Sequence, residues 1–137
     1  MRDSFHQDAE VNISWFQGSG YEFVEASRDM AARGMLAKHR LGPVLVTLNG
    51  DRALATLSAI IDIPTEIQGK SFTLSAHCLL IYRVSKRKGV WRLSSFEVIY
   101  RRDEFTSEIL GQTVQLRPEE LAVIATPTAI CVTACGL

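Results

Sequence analysis

Residues 35–63, "MLAKHRLGPVLVTLNGDRALATLSAIIDI", decide the fold. Asn49-Gly50 lies between two apolar runs, "VLVTL" and "RALATLSAIIDI", and both turn residues tolerate positive φ, so the stretch reads as a β-hairpin. With Asn49 and Gly50 as the central turn residues, Leu48 opposes Asp51. The same register carries Val46 to Ala53, Val44 to Ala55 and His39 to Ile60. Opposed residues share a face, so His39 falls on the face of Ile60 and Asp62. Asp62 is then its diagonal neighbour, with Cα atoms about 7–8 Å apart. A carboxylate accepting from one imidazole nitrogen fixes the tautomer and leaves the other nitrogen to move a proton. Gly42-Pro43 interrupts the ladder, because proline has no N–H to donate and a bulge there shifts the register by one. The competing reading is structural: His39 caps a helix end or the start of a strand, and Asp62 is solvated at the strand end before Pro64.

Upstream, "AEVNISWF" alternates, with Val11, Ile13 and Trp15 on one side and Asn12 and Ser14 on the other, which is the period of a half-buried strand. Ser19 followed three residues later by Glu22 forms a capping box and announces a helix through "YEFVEASRDMAARGML". Its apolar stripe is Phe23, Ala26, Met30 and Ala31. Downstream, "SFTLSAHCLLIYRV" and "VWRLSSFEVIYR" flank "SKRKG", a second hairpin with Gly89 in its turn. The result is an antiparallel meander that is apolar on both faces and therefore covered twice. One cover is the helix; the other is a second subunit or the C-terminal tail.

Size and charge narrow the function. A chain of 137 residues makes one domain, 1–137, with room for one core. Fifteen basic and fifteen acidic residues cancel, which leaves no electrostatic footprint for nucleic acid or an anionic membrane. The basic run "RVSKRKGVWR" sits at a hairpin tip, where a solvated cluster is the ordinary outcome. No stretch spans a membrane, and the N-terminus is no signal peptide. Three cysteines, Cys78, Cys131 and Cys135, are too few for a disulfide framework and suit a reducing, cytoplasmic setting. His77 and Cys78 are adjacent on a strand and point to opposite faces, so no metal site is implied. His77 is either a pocket residue or a hydrogen-bonded sheet histidine. Trp15, with Phe16, Tyr21 and Phe23, is either pocket rim or core. Asp103 and Glu104 read as surface charge, and His6 as part of a frayed terminus.

Taken in order, "KH" before a glycine, the hairpin on "NGDRALA", the "KGVWRL" turn and "IYRRDEF" resemble the NTF2-like superfamily. Within it they resemble the SnoaL-like group, which includes scytalone dehydratase and bile acid 7α-dehydratase. The opening "FHQDAEVNISWFQGSGYEF" resembles the same group, and the likeness runs from Phe5 to about Leu116. It implies an α+β cone: a strongly curved, mixed or antiparallel sheet, a helix on one face, an apolar pocket inside, and a homodimer through the outer sheet face. The first strand begins almost at Met1, so the resemblance implies a form without the group's two N-terminal helices. A tail atypical of the group starts at about 117.

The resemblance also implies roles. His39 takes the position of a proton-transferring histidine, Asp62 that of a site aspartate, and Arg101 or Arg102 that of a late-strand arginine. The expected activity is a cofactor-independent dehydratase or isomerase acting on a mostly apolar small molecule. His39 and Asp62 are the catalytic pair; Arg101, Arg102, Trp15 and His77 are the substrate contacts. The alternative is a non-catalytic ligand-binding or dimerisation module of the same fold.

Overall fold

The computed structural model describes residues 1–118. A short 3-10 turn, Arg2–Ser4, leads into strand β1 (Phe5–Ile13). Strand β2 (Phe16–Ser19) folds back on β1, and helix α1 (Gly20–Ala32) follows. Two short strands, β3 (Lys38–Leu41) and β4 (Leu45–Asn49), precede three long ones: β5 (Arg52–Ile67), β6 (Lys70–Arg87) and β7 (Val90–Ser107).

The capping box forms as read. The Glu22 N–H donates to Ser19 Oγ at 3.3 Å, and the Ser19 N–H donates to Glu22 Oε2 at 2.9 Å. Trp15 does not continue the first strand; it sits in the turn between β1 and β2. The strand instead begins at Phe5, and His6 is buried, with Nε2 2.9 Å from the Ser85 carbonyl.

Two hairpins turn on residue pairs with positive φ, Gln68-Gly69 and Lys88-Gly89, the twist that suits tight antiparallel connections. The third turn is centred on Gly50-Asp51, one residue later than the Asn49-Gly50 reading, because Asn49 pairs with Arg52. Strand β5 runs on through Pro64, which pairs with Thr73. On the other side of β5 the pairing with β3 reaches only to Asp62, so the missing proline N–H breaks no ladder bond there.

The class is α+β with a mixed sheet, since β1 lies parallel to β7 and the other pairs are antiparallel. The cone is not what forms. The seven strands make an open sheet in the order β2-β1-β7-β6-β5-β3, with β4 also on β5. Among the described residues, strand β2 at one end and strands β3 and β4 at the other are free edges that do not meet, and they build no closed hollow.

Alternation sorts the sheet into two faces. Leu57, Ala59, Ile61, Ala76, Cys78, Leu80, Tyr82, Phe96, Val98 and Tyr100 share the face on which α1 packs. Phe23 and Val24 of α1 pack with Phe5, Ala9 and Val11. Phe96 joins the two clusters, stacking on Tyr82 at 4.7 Å and meeting Phe23 edge-on at 5.9 Å. Val24, 1 % exposed, is a centre of this packing, whereas the sequence stripe points to Ala26 and Met30.

The β3 and β4 edge is unlike the rest. All five residues of β4 are exposed, and Leu41, Val44, Leu45, Val46 and Leu48 present apolar side chains to solvent.

Candidate functional site

The expected pairing of His39 with Asp62 does not form, and the reason is register. Past the Gly42-Pro43 break, Lys38 opposes Asp62, His39 opposes Ile61 and Arg40 opposes Ile60. The later turn centre moves the hairpin register by two and preserves the faces. The break then moves it by one and exchanges them. His39 therefore lies on the helix face with Ile61, and Asp62 on the outer face with Ile60.

Arg40 takes the place expected for His39. Its Nε and Nη2 donate to Asp62 Oδ2 and Oδ1 at 2.8 Å each, and Ser75 Oγ donates to Oδ1 at 2.7 Å. These bonds, that of Arg40 foremost, hold the Asp62 carboxyl below its ordinary range. The same contact raises the Arg40 pKa.

Beside this pair, His77 opposes Arg102 across β6 and β7, and the next residue, Cys78, opposes Tyr100. Arg101 is thus the extra residue of a β-bulge. Both Arg101 and Arg102 line a shallow outer-face depression of about 500 Å³, together with Arg40, Ser58, Ile60 and His77. Arg102 Nη2 meets Glu104 Oε1 at 2.6 Å. His77 Nε2 approaches Glu104 Oε2 at 3.2 Å without hydrogen-bond geometry.

The structure thus brings Asp62, His77, Arg101 and Arg102 to one face and leaves His39 on the other. Trp15 stands apart from both groups, half-exposed and 5.6 Å from the Phe23 ring.

On the helix face the registers align a row across four strands: His39, Ile61, Ala76 and Asp103. Asp103, read from sequence as surface charge, has both carboxyl oxygens buried and accepts no hydrogen bond among the described residues. The signal for it was parity along β7, which the bulge at Arg101 hides from a simple alternation count. Tyr100 lies on the same face, accepts from Ser14 Oγ at 2.8 Å, and has its phenol pushed upward mainly by burial. Burial likewise pushes the Cys78 thiol up to about 11. Among the described residues no group of three or more His, Cys, Asp or Glu side chains is placed to hold a metal ion, and no helix is long and apolar enough to cross a membrane. Cys131, Cys135 and most of the tail lie outside the described residues.

Comparison with known proteins fits this fold. A hexachlorocyclohexane dehydrochlorinase, LinA-type3 from Novosphingobium barchaimii LL02, superposes with a TM-score of 0.64 at 11 % identity, over 85 % of this chain and 79 % of that one. A protein of unknown function from Mycobacterium tuberculosis gives 0.59 at 16 % identity, over 99 % and 77 %. A putative scytalone dehydratase from Novosphingobium aromaticivorans DSM 12444 gives 0.58 at 12 % identity, over 82 % and 79 %. At these identities the likeness is one of fold. No curated protein matches. The model of the SnoaL-like domain family matches residues 1–97, well over half of the chain. The chain belongs to the SnoaL-like domain family.

Proposed function

We propose that the domain binds a mostly apolar small molecule along its helix face, and that His39 exchanges a proton with it in a cofactor-independent dehydratase- or isomerase-type reaction. The observation that carries this reading is the row from His39 across Ile61 and Ala76 to Asp103. Three strand spacings of about 4.8 Å put the imidazole and the carboxyl positions about 14 Å apart over an apolar floor. A fused-ring molecule fits that span, with a carbonyl or hydroxyl toward His39. An imidazole there takes a proton from carbon beside a carbonyl, and the imidazolium so formed delivers it to a departing hydroxyl.

The probe is 2-tetralone, an apolar bicyclic ketone with exchangeable α-protons. Proton NMR in deuterated buffer is expected to show saturable α-proton exchange that falls about tenfold or more in His39→Ala. Exchange that is unsaturable, or equal in the two proteins, defeats the catalytic reading. Binding of the ketone without exchange favours the non-catalytic alternative.

A second reading concerns assembly through the outer face. Leu54 and Ile99 are 40 % and 44 % exposed there, beside Ile60, Leu79 and Ile81. Arg83 and Glu97, an ion pair on the same face, supply both signs of charge, as a two-fold self-complementary contact requires. Sedimentation tests it: a dimer that Ile99→Lys converts to monomer supports the reading, and a wild-type monomer removes it.

A further inference from the structure

We infer that the outer-face depression is an anion site for a phosphoryl-bearing small molecule, built from Arg40, Arg101 and Arg102. Three observations converge on it. First, the β-bulge at Arg101 sets two consecutive arginines into one depression, where strict alternation would have sent one to each face. Second, the local charge is unbalanced. Lys38, Arg40, Arg101 and Arg102 gather against Asp62 and Glu104, leaving a surplus of two positive charges on a chain whose formal net charge is zero. Third, the acidic partners orient the cations and leave them donors to spare. Arg40 spends Nε and one Nη2 proton on Asp62, while Ser75 holds that carboxylate in place. Arg102 meets Glu104 through Nη2, and Arg101 makes no ion pair among the described residues. A guanidinium carries five N–H donors in a planar fork, so donors on all three arginines stay free for phosphate oxygens.

The surplus of two positive charges matches a phosphate monoester dianion better than a monocarboxylate. His77 and Ile60 also line the depression, and its volume of about 500 Å³ admits the organic part of such a molecule. This site is on the other side of the sheet from His39, so it does not depend on the proton-transfer reading; it shares the outer face, at Ile60, with the assembly reading.

Isothermal titration calorimetry of the wild-type protein with inorganic phosphate, phenyl phosphate and acetate tests the inference. The expected result is saturable binding of both phosphates, with phenyl phosphate tighter and acetate weak. Arg101→Ala is expected to weaken phosphate by about tenfold, the loss of one charge-assisted contact. Arg28→Ala serves as control: it removes one exposed charge, on α1, and does not line the depression. The inference is overturned if wild type binds neither phosphate saturably, if acetate binds as tightly, or if Arg28→Ala weakens binding as much as Arg101→Ala does.

Discussion

Arg40 and Asp62 form a two-pronged ion pair across β3 and β5, both contacts 2.8 Å long, in the place where the sequence predicts an imidazole. The guanidinium and the Ser75 hydroxyl hold the folded carboxyl below its ordinary value of 3.8. A depressed carboxyl contributes stability that is whole above the unfolded value and is lost as pH falls through the folded one. Asp62→Asn is therefore expected to flatten the acid limb of the stability curve below about pH 4, with its effect on unfolding greatest at neutrality. Urea unfolding of the two proteins from neutrality down into that limb measures this. Parallel acid limbs would show that the pair carries no folding energy.

Gly20 opens α1 directly against Phe5. A Cβ at that position would lie 2.5 Å from Phe5 Cδ1 and 2.7 Å from Cγ of a buried ring. Gly20→Ala should cost about 1–3 kcal/mol by overpacking, although alanine is the better helix former. Chemical denaturation reads the change, and an unchanged midpoint would mean that Phe5 repacks freely.

The cap at Ser19 makes a smaller and separable contribution. Ser19→Ala removes the acceptor for the Glu22 N–H and should cost about 1 kcal/mol. The loss should appear in thermal unfolding and, by hydrogen exchange, be concentrated in the first turn of α1. Even protection along the helix in both proteins would contradict it.

Cys78 should be inert in the folded state. Its thiol is buried, lies 3.6 Å from the Ala59 carbonyl and titrates at about 11 instead of 9.0. That difference alone cuts the thiolate fraction about a hundredfold near neutrality, before access is considered. Peptide mapping after a short treatment with a thiol reagent should find Cys78 unmodified until denaturant is added. Fast labelling of Cys78 in native buffer would show that the β5–β6 packing opens readily.

Much of this architecture is legible in the order of residues, and the parts that are not have a common cause. The Ser19–Glu22 box, the Gly50 hairpin and the Gly89 turn are local signals, each settled by a few neighbouring atoms. The box and the Gly89 turn stand where the chain places them, and the Gly50 hairpin turns one residue later than its dipeptide suggests. The candidate site depended on a parity count carried over Gly42-Pro43, and side chains alternate with a period of two. A slip of a single residue there sent His39 to one face and Arg40 to the other. The same sensitivity operates at Arg101, where one added residue aligns two arginines and turns Asp103 inward. The closure expected from the family likeness failed for a different reason, since it depends on edges meeting in space, and no local pattern in the chain encodes that.

The rim formed by β4, bare among the described residues, has a practical consequence. Five consecutive residues, "LVTLN", carry no charge and offer a ladder of backbone donors and acceptors to any extended chain that drifts past. Such a rim is a growth point for filaments and mixed sheets, and the concentration at which this protein stays dispersed is expected to be set there. A lysine at Val46 should raise that ceiling, as light scattering would record, while leaving His39 and the arginine cluster as they are.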